Sequence, residues 1–136
     1  MAVLADINAI LADDVLDDES SEGSKCEQIE RLIKGVGWPK IRDSILALLA
    51  DSERRRRDYE VAAEVLWGAV LDGREMPADR VIALLYNRFR FESPGDVEEN
   101  LVWSITSKLK RVGYLSEYEP LQDAGVKAEL AAIRAG

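Results

Sequence analysis

Apolar residues recur along most of this chain at spacings of three and four. No run alternates apolar with polar residues as a half-buried strand would, so the pattern predicts helices throughout. Val3, Leu4, Ile7, Ile10, Leu11 and Val15 form the first stripe, an amphipathic helix over residues 2–16. Asp17 to Ser24 reads as a polar connection. Ile29, Leu32, Ile33 and Val36 predict a short helix from about Lys25, ended by Gly35-Val36-Gly37, because glycine readily takes the left-handed conformation that closes a helix. Pro39 suits a first helical position, and Ile41, Ile45, Leu48 and Leu49 carry that helix to about Asp51.

The next helix, Tyr59 to about Asp72, is apolar around most of its circumference. Tyr59, Ala62, Ala63, Leu66, Ala69 and Val70 make one face, widened by Val61 and Val65 on one side and by Trp67 and Leu71 on the other. It is the expected central, buried helix. Gly73 closes it, and Pro77 opens another through Val81, Leu84, Leu85 and Phe89, with an outward face of Asp79, Arg80, Asn87 and Arg90. Ser93-Pro94-Gly95-Asp96 is a start signal, with a capping hydroxyl, a proline and an acid in the first turn. Behind it Val97, Leu101, Val102, Ile105, Leu109 and Val112 fall within a face about 140° wide. Tyr114 to Glu119 is a short helix or turn, and Asp123 caps a last helix through Val126, Leu130 and Ile133.

The expected fold is therefore all-α, a single domain over residues 1–136 with six to seven helices, either stacked helical hairpins of HEAT-like kind or an irregular bundle. Short turns and a helix buried on more than one side favour the stacked arrangement. Within it, residues 1–24 form an acidic N-terminal helix with a loop, and residues 25–136 form the core. A chain of 136 residues, 47% apolar and 32% charged, suits one compact domain that needs no cofactor to fold.

Charge changes the picture at one end only. Residues 1–30 hold nine acids, among them Asp13, Asp14, Asp17, Asp18 and Glu19, against Lys25 alone, and the remaining residues balance at 17 acids and 17 bases. The whole net charge of −8 thus belongs to the N-terminal segment. That distribution argues against nucleic-acid binding and would attract a basic protein partner to one end. A plain solubilising arm is the competing reading. Asp13 and Asp14 also sit in the last turn of the predicted first helix, where acids oppose the macrodipole. The run Arg54-Arg55-Arg56-Arg57 points four ways around a helix, so it cannot form one phosphate-binding stripe. It reads instead as the end of the preceding helix, with Asp58 capping the next.

The chemistry is mostly a set of exclusions. With no histidine there is no Ser-His-Asp or Cys-His arrangement, and with Cys26 as the one cysteine there is no internal disulfide or Cys/His zinc site. No phosphate-cradling glycine motif is present. Glu98 and Glu99, and likewise Glu117 and Glu119, read as surface acids rather than as a carboxylate dyad. No catalytic, cofactor or metal residue is therefore assigned. No stretch approaches the length of a membrane span and the first residues lack a secretory leader pattern, so a cytoplasmic location is expected. One residue breaks the pattern. Trp103 lies about 170° from the centre of its helix's apolar face, beside Glu99 and Lys110. Either a later segment covers it, or it is an exposed aromatic anchor for a partner.

The stretch from Trp67-Gly68-Ala69-Val70-Leu71 through Pro77-Ala78-Asp79-Arg80-Val81-Ile82-Ala83-Leu84-Leu85-Tyr86 to Leu101-Val102-Trp103-Ser104-Ile105 resembles the small helical immunity proteins carried beside bacterial polymorphic or contact-dependent toxins. The closing Leu121-Gln122-Asp123-Ala124-Gly125-Val126-Lys127-Ala128-Glu129-Leu130 is similar to the second half of a HEAT-like unit. The resemblance covers about residues 39–134 and carries no catalytic motif. It implies a cytoplasmic, non-enzymatic inhibitor of one cognate toxin domain, such as a nuclease with a basic cleft. On that view Asp13, Asp14, Asp17, Asp18 and Glu19 steer association, and Glu99 and Trp103 lie on the anchoring face. The alternative is a helical adaptor or regulatory subunit that binds another protein.

Overall fold

A computed structural model describes residues 2–12, 21–89, 95–109 and 124–135. Seven α-helices make up most of them: α1 (Ala2–Ala12), α2 (Ser21–Val36), α3 (Trp38–Ala50), α4 (Arg56–Leu71), α5 (Ala78–Phe89), α6 (Asp96–Leu109) and α7 (Ala124–Ala135). There is no strand among the described residues, and the all-α expectation holds. The chain divides into two compact units, Met1–Leu66 and Trp67–Gly136, with the boundary inside α4.

In the first unit α1, α2 and α3 each pack against the other two. Their shared core is Ile7 and Leu11 of α1, Ile29 and Ile33 of α2, and Ile41, Ile45, Leu48 and Leu49 of α3. These are the apolar positions that recur at helical spacing in the sequence. Gly37 ends α2 with φ 104°, a left-handed conformation that a side chain would oppose, and its N–H donates to the Ile33 carbonyl at 2.9 Å. Pro39 follows in the first turn of α3, where its missing N–H has no intrahelical partner to lose.

Two boundaries differ from the sequence expectation. Helix α2 begins at Ser21 rather than Lys25, so Ser21 to Ser24 belong to it instead of to a loop. The arginine run does not end α3, which stops at Ala50. Arg54 and Arg55 lie in the turn, while Arg56 and Arg57 open α4. Asp58 accordingly lies in the first turn of α4 and is not its N-cap.

In the second unit α5 lies against α6 and, more extensively, against α7. Five consecutive α5 residues, Val81, Ile82, Ala83, Leu84 and Leu85, are buried, which means that apolar neighbours surround the helix at its middle. The outward face expected for Asp79, Arg80 and Asn87 is only half-exposed. Part of the reason is α7, whose Glu129 meets Arg80 at 3.4 Å. Arg90 lies outside the described residues. Gly73 closes α4 as expected, at φ 73°, with the Gly73 N–H donating to the Val70 carbonyl at 3.2 Å and the Arg74 N–H to the Ala69 carbonyl at 2.9 Å. The burial expected around α4 holds along Val61, Ala62, Ala63, Val65, Leu66, Ala69 and Val70, but not at Leu71, which is 66% exposed.

Candidate functional site

Of the residues singled out in the sequence for partner binding, Glu99 and Trp103 fall within the described residues, both on α6. The helix begins after Gly95, whose carbonyl accepts the Glu99 N–H at 3.0 Å. Ser93 and Pro94, expected to provide the cap and first position, lie outside the described residues, and the first helical residue is Asp96. Glu98 folds back so that its Oε2 accepts the Gly95 N–H at 2.6 Å, which satisfies a donor the helix cannot. It is therefore buried, unlike the surface acid expected from the sequence. Glu98→Ala should cost about 0.5–1.5 kcal/mol, measured as a lower urea midpoint, and a midpoint unchanged from wild type would refute this capping role.

The inner side of α6 is set by Leu101, Val102 and Ile105, all buried, and by Ser104, whose hydroxyl accepts the Trp67 indole N–H at 3.1 Å. Fixing that side determines the other. Asp96, Glu99, Asn100 and Trp103 stand at spacings of three, four and seven, so they form one stripe of about 10 Å along the helix, and all four are exposed. Trp103 is 50% exposed, so about half of its surface meets solvent. Among the described residues neither Asp96 nor Glu99 forms an ion pair.

The other expected site residues, Asp13, Asp14, Asp17, Asp18 and Glu19, lie outside the described residues, so the structure does not bring them together with Glu99 and Trp103. The Leu11 carbonyl, in the last turn of α1, accepts hydrogen bonds from Lys25 Nζ at 3.1 Å and Arg55 Nη2 at 3.0 Å. Two cationic donors from outside α1 thus meet on one of its carbonyls.

The arginine run is occupied in the same local way. Arg54 approaches Asp51 at 3.2 Å and Asp58 at 3.8 Å, Arg55 approaches Asp58 at 3.6 Å, and Arg56 meets Glu60 at 2.9 Å. The Asp51 carboxyl is held below its ordinary range, first by the Glu53 N–H that it accepts at 2.9 Å and then by Arg54. Tyr59 ties the turn together, its hydroxyl donating to the Asp51 carbonyl and accepting the Arg54 N–H at 3.1 Å. This is the wiring of a tight turn rather than a surface for phosphates.

Sequence reasoning missed Leu71. Its place beside Trp67 on the helical wheel predicts burial, but α4 ends at Leu71 and a last-turn residue need not meet a neighbour. Beyond it, Val70, Met76 and Ile105 help to line an open cleft of about 280 Å³. That is below the usual size of an enclosed small-molecule site. Among the described residues no group of three or more His, Cys, Asp or Glu side chains could hold a metal ion. No described helix is long and apolar enough to cross a membrane. Comparison with known protein families, curated proteins and solved structures gave no match.

Proposed function

We propose that this chain is a non-enzymatic, cytoplasmic inhibitor that binds another protein, specifically an immunity protein that neutralises a cognate toxin domain with a basic surface. The observation that carries this reading is the outer stripe of α6, where a half-exposed tryptophan stands in line with two acids that form no ion pair among the described residues. Tryptophan at the centre of an interface contributes disproportionately to affinity. Free carboxylates around it complement a basic partner. The acidic N-terminal segment adds a long-range field of the same sign.

The direct test is to ask whether a toxin gene lies directly upstream of this chain's gene and, with that toxin domain, to measure complex formation and residual toxin activity. A stoichiometric complex without toxin activity is expected, and a toxin that remains fully active in excess of this chain overturns the reading. Once a complex is in hand, replacing Asp13, Asp14, Asp17 and Asp18 together with asparagine should slow association by about tenfold at low ionic strength. Dissociation should change little. Stopped-flow rates that match wild type at low salt would remove the steering role from these residues.

A further inference from the structure

Resting on the reading of α6 as a docking face, we infer that its outer stripe recognises an arginine side chain of the partner, with the guanidinium laid over the Trp103 indole and drawn toward Glu99 and Asp96. Three observations combine here. Trp103 is 50% exposed while its neighbour Ser104 is fixed by Trp67, so the indole is offered to solvent from a helix whose rotation is set. Glu99 lies one turn and Asp96 two turns before it on the same side, within reach of one long cationic side chain. Both acids form no ion pair among the described residues, in contrast to Asp51, Asp58, Glu60 and Glu129, each of which meets an arginine within 4 Å.

Arginine fits this arrangement better than lysine. Its planar group stacks on an aromatic face while its edge N–H groups remain available to carboxylates, whereas an ammonium is a compact, strongly hydrated charge. A second copy of this chain fits poorly, because pairing two such faces would bring Asp96 and Glu99 toward the same acids of the other copy.

The probe is a short peptide with two arginines one helical turn apart, used beside versions carrying lysine or citrulline at the same positions. Binding is followed through the three tryptophan indole N–H resonances in low-salt buffer. The Trp103 resonance should shift with the arginine peptide while Trp38 and Trp67 stay in place. Affinity should fall about two- to fivefold for the lysine peptide and be lost for citrulline. Glu99→Gln and Asp96→Asn should each weaken the arginine peptide by about two- to fourfold, and Trp103→Ala should abolish the response. Trp103→Phe, which keeps an aromatic face, should retain part of it and guards against a folding defect in the alanine variant. Equal affinity for the arginine and citrulline peptides, or binding indifferent to Glu99→Gln and Asp96→Asn, overturns the inference. Toxin neutralisation that survives Trp103→Ala also overturns it while leaving the inhibitor reading intact. Arginine-peptide binding by a chain that fails to neutralise any toxin does the reverse.

Discussion

Lys25→Ala is expected to lower the stability of the first unit by about 2–4 kcal/mol, seen as a fall in the midpoint of urea unfolding. Lys25 is 1% exposed, and its Nζ donates to the Leu11 carbonyl at 3.1 Å. Two losses combine in the alanine variant. The buried methylene stem leaves a cavity, and a terminal carbonyl of α1 loses one of its two cationic donors. Lys25→Met separates them, because it keeps the stem and removes the donor, and should cost about 1–2 kcal/mol. A Lys25→Ala protein as stable as wild type would show that the lysine is carried by the core without supporting it.

The second large effect is expected in the other unit. Ile82→Ala, at a residue with no solvent exposure on the most enclosed stretch of α5, should cost about 2–4 kcal/mol, with Ile82→Val nearer 1 kcal/mol. The gap between the two reports how completely α6 and α7 close around α5. If alanine and valine were indistinguishable in urea or thermal unfolding, the site would have collapsed onto the smaller side chain and the packing would be looser than the burial implies.

These two residues also show what can and cannot be read from a one-dimensional pattern. Ile82 stands next to the Val81, Leu84 and Leu85 positions that mark the apolar face of α5, and its burial is a modest extension of that periodic signal. Lys25 gave no such signal, since it looked like the lone base of an acidic arm. Its burial depends on the end of α1, 14 residues away, and a contact between helix ends leaves no trace in helical spacing. Glu98 follows the same logic at shorter range, because its inward turn requires an unsatisfied N–H at Gly95. The places where glycine must accept a left-handed backbone, Gly37 and Gly73, were legible because few other residues tolerate it.

The candidate site was legible to a comparable degree. Angular arithmetic on α6 put Trp103 opposite the apolar face, and the structure leaves it half in water beside Glu99. The same arithmetic misplaced Leu71, since a helical wheel has no knowledge of where neighbouring helices end. For the arginine run the spacing predicts the end of α3, whereas Arg54 and Arg55 lie in the turn and Arg56 and Arg57 open α4. Their partners Asp51, Asp58 and Glu60 all lie within four residues, so the cluster could have been anticipated from local charge pairing.

The Trp67 to Ser104 hydrogen bond has an optical consequence. It places one indole in a fixed, partly sheltered setting and leaves that of Trp103 facing solvent, so the two differ in polarity and in accessibility to a dissolved quencher. Red-edge emission and quenching by neutral acrylamide would then be weighted toward Trp103 over Trp67, giving occupancy of the α6 face an intrinsic fluorescent readout with no label attached.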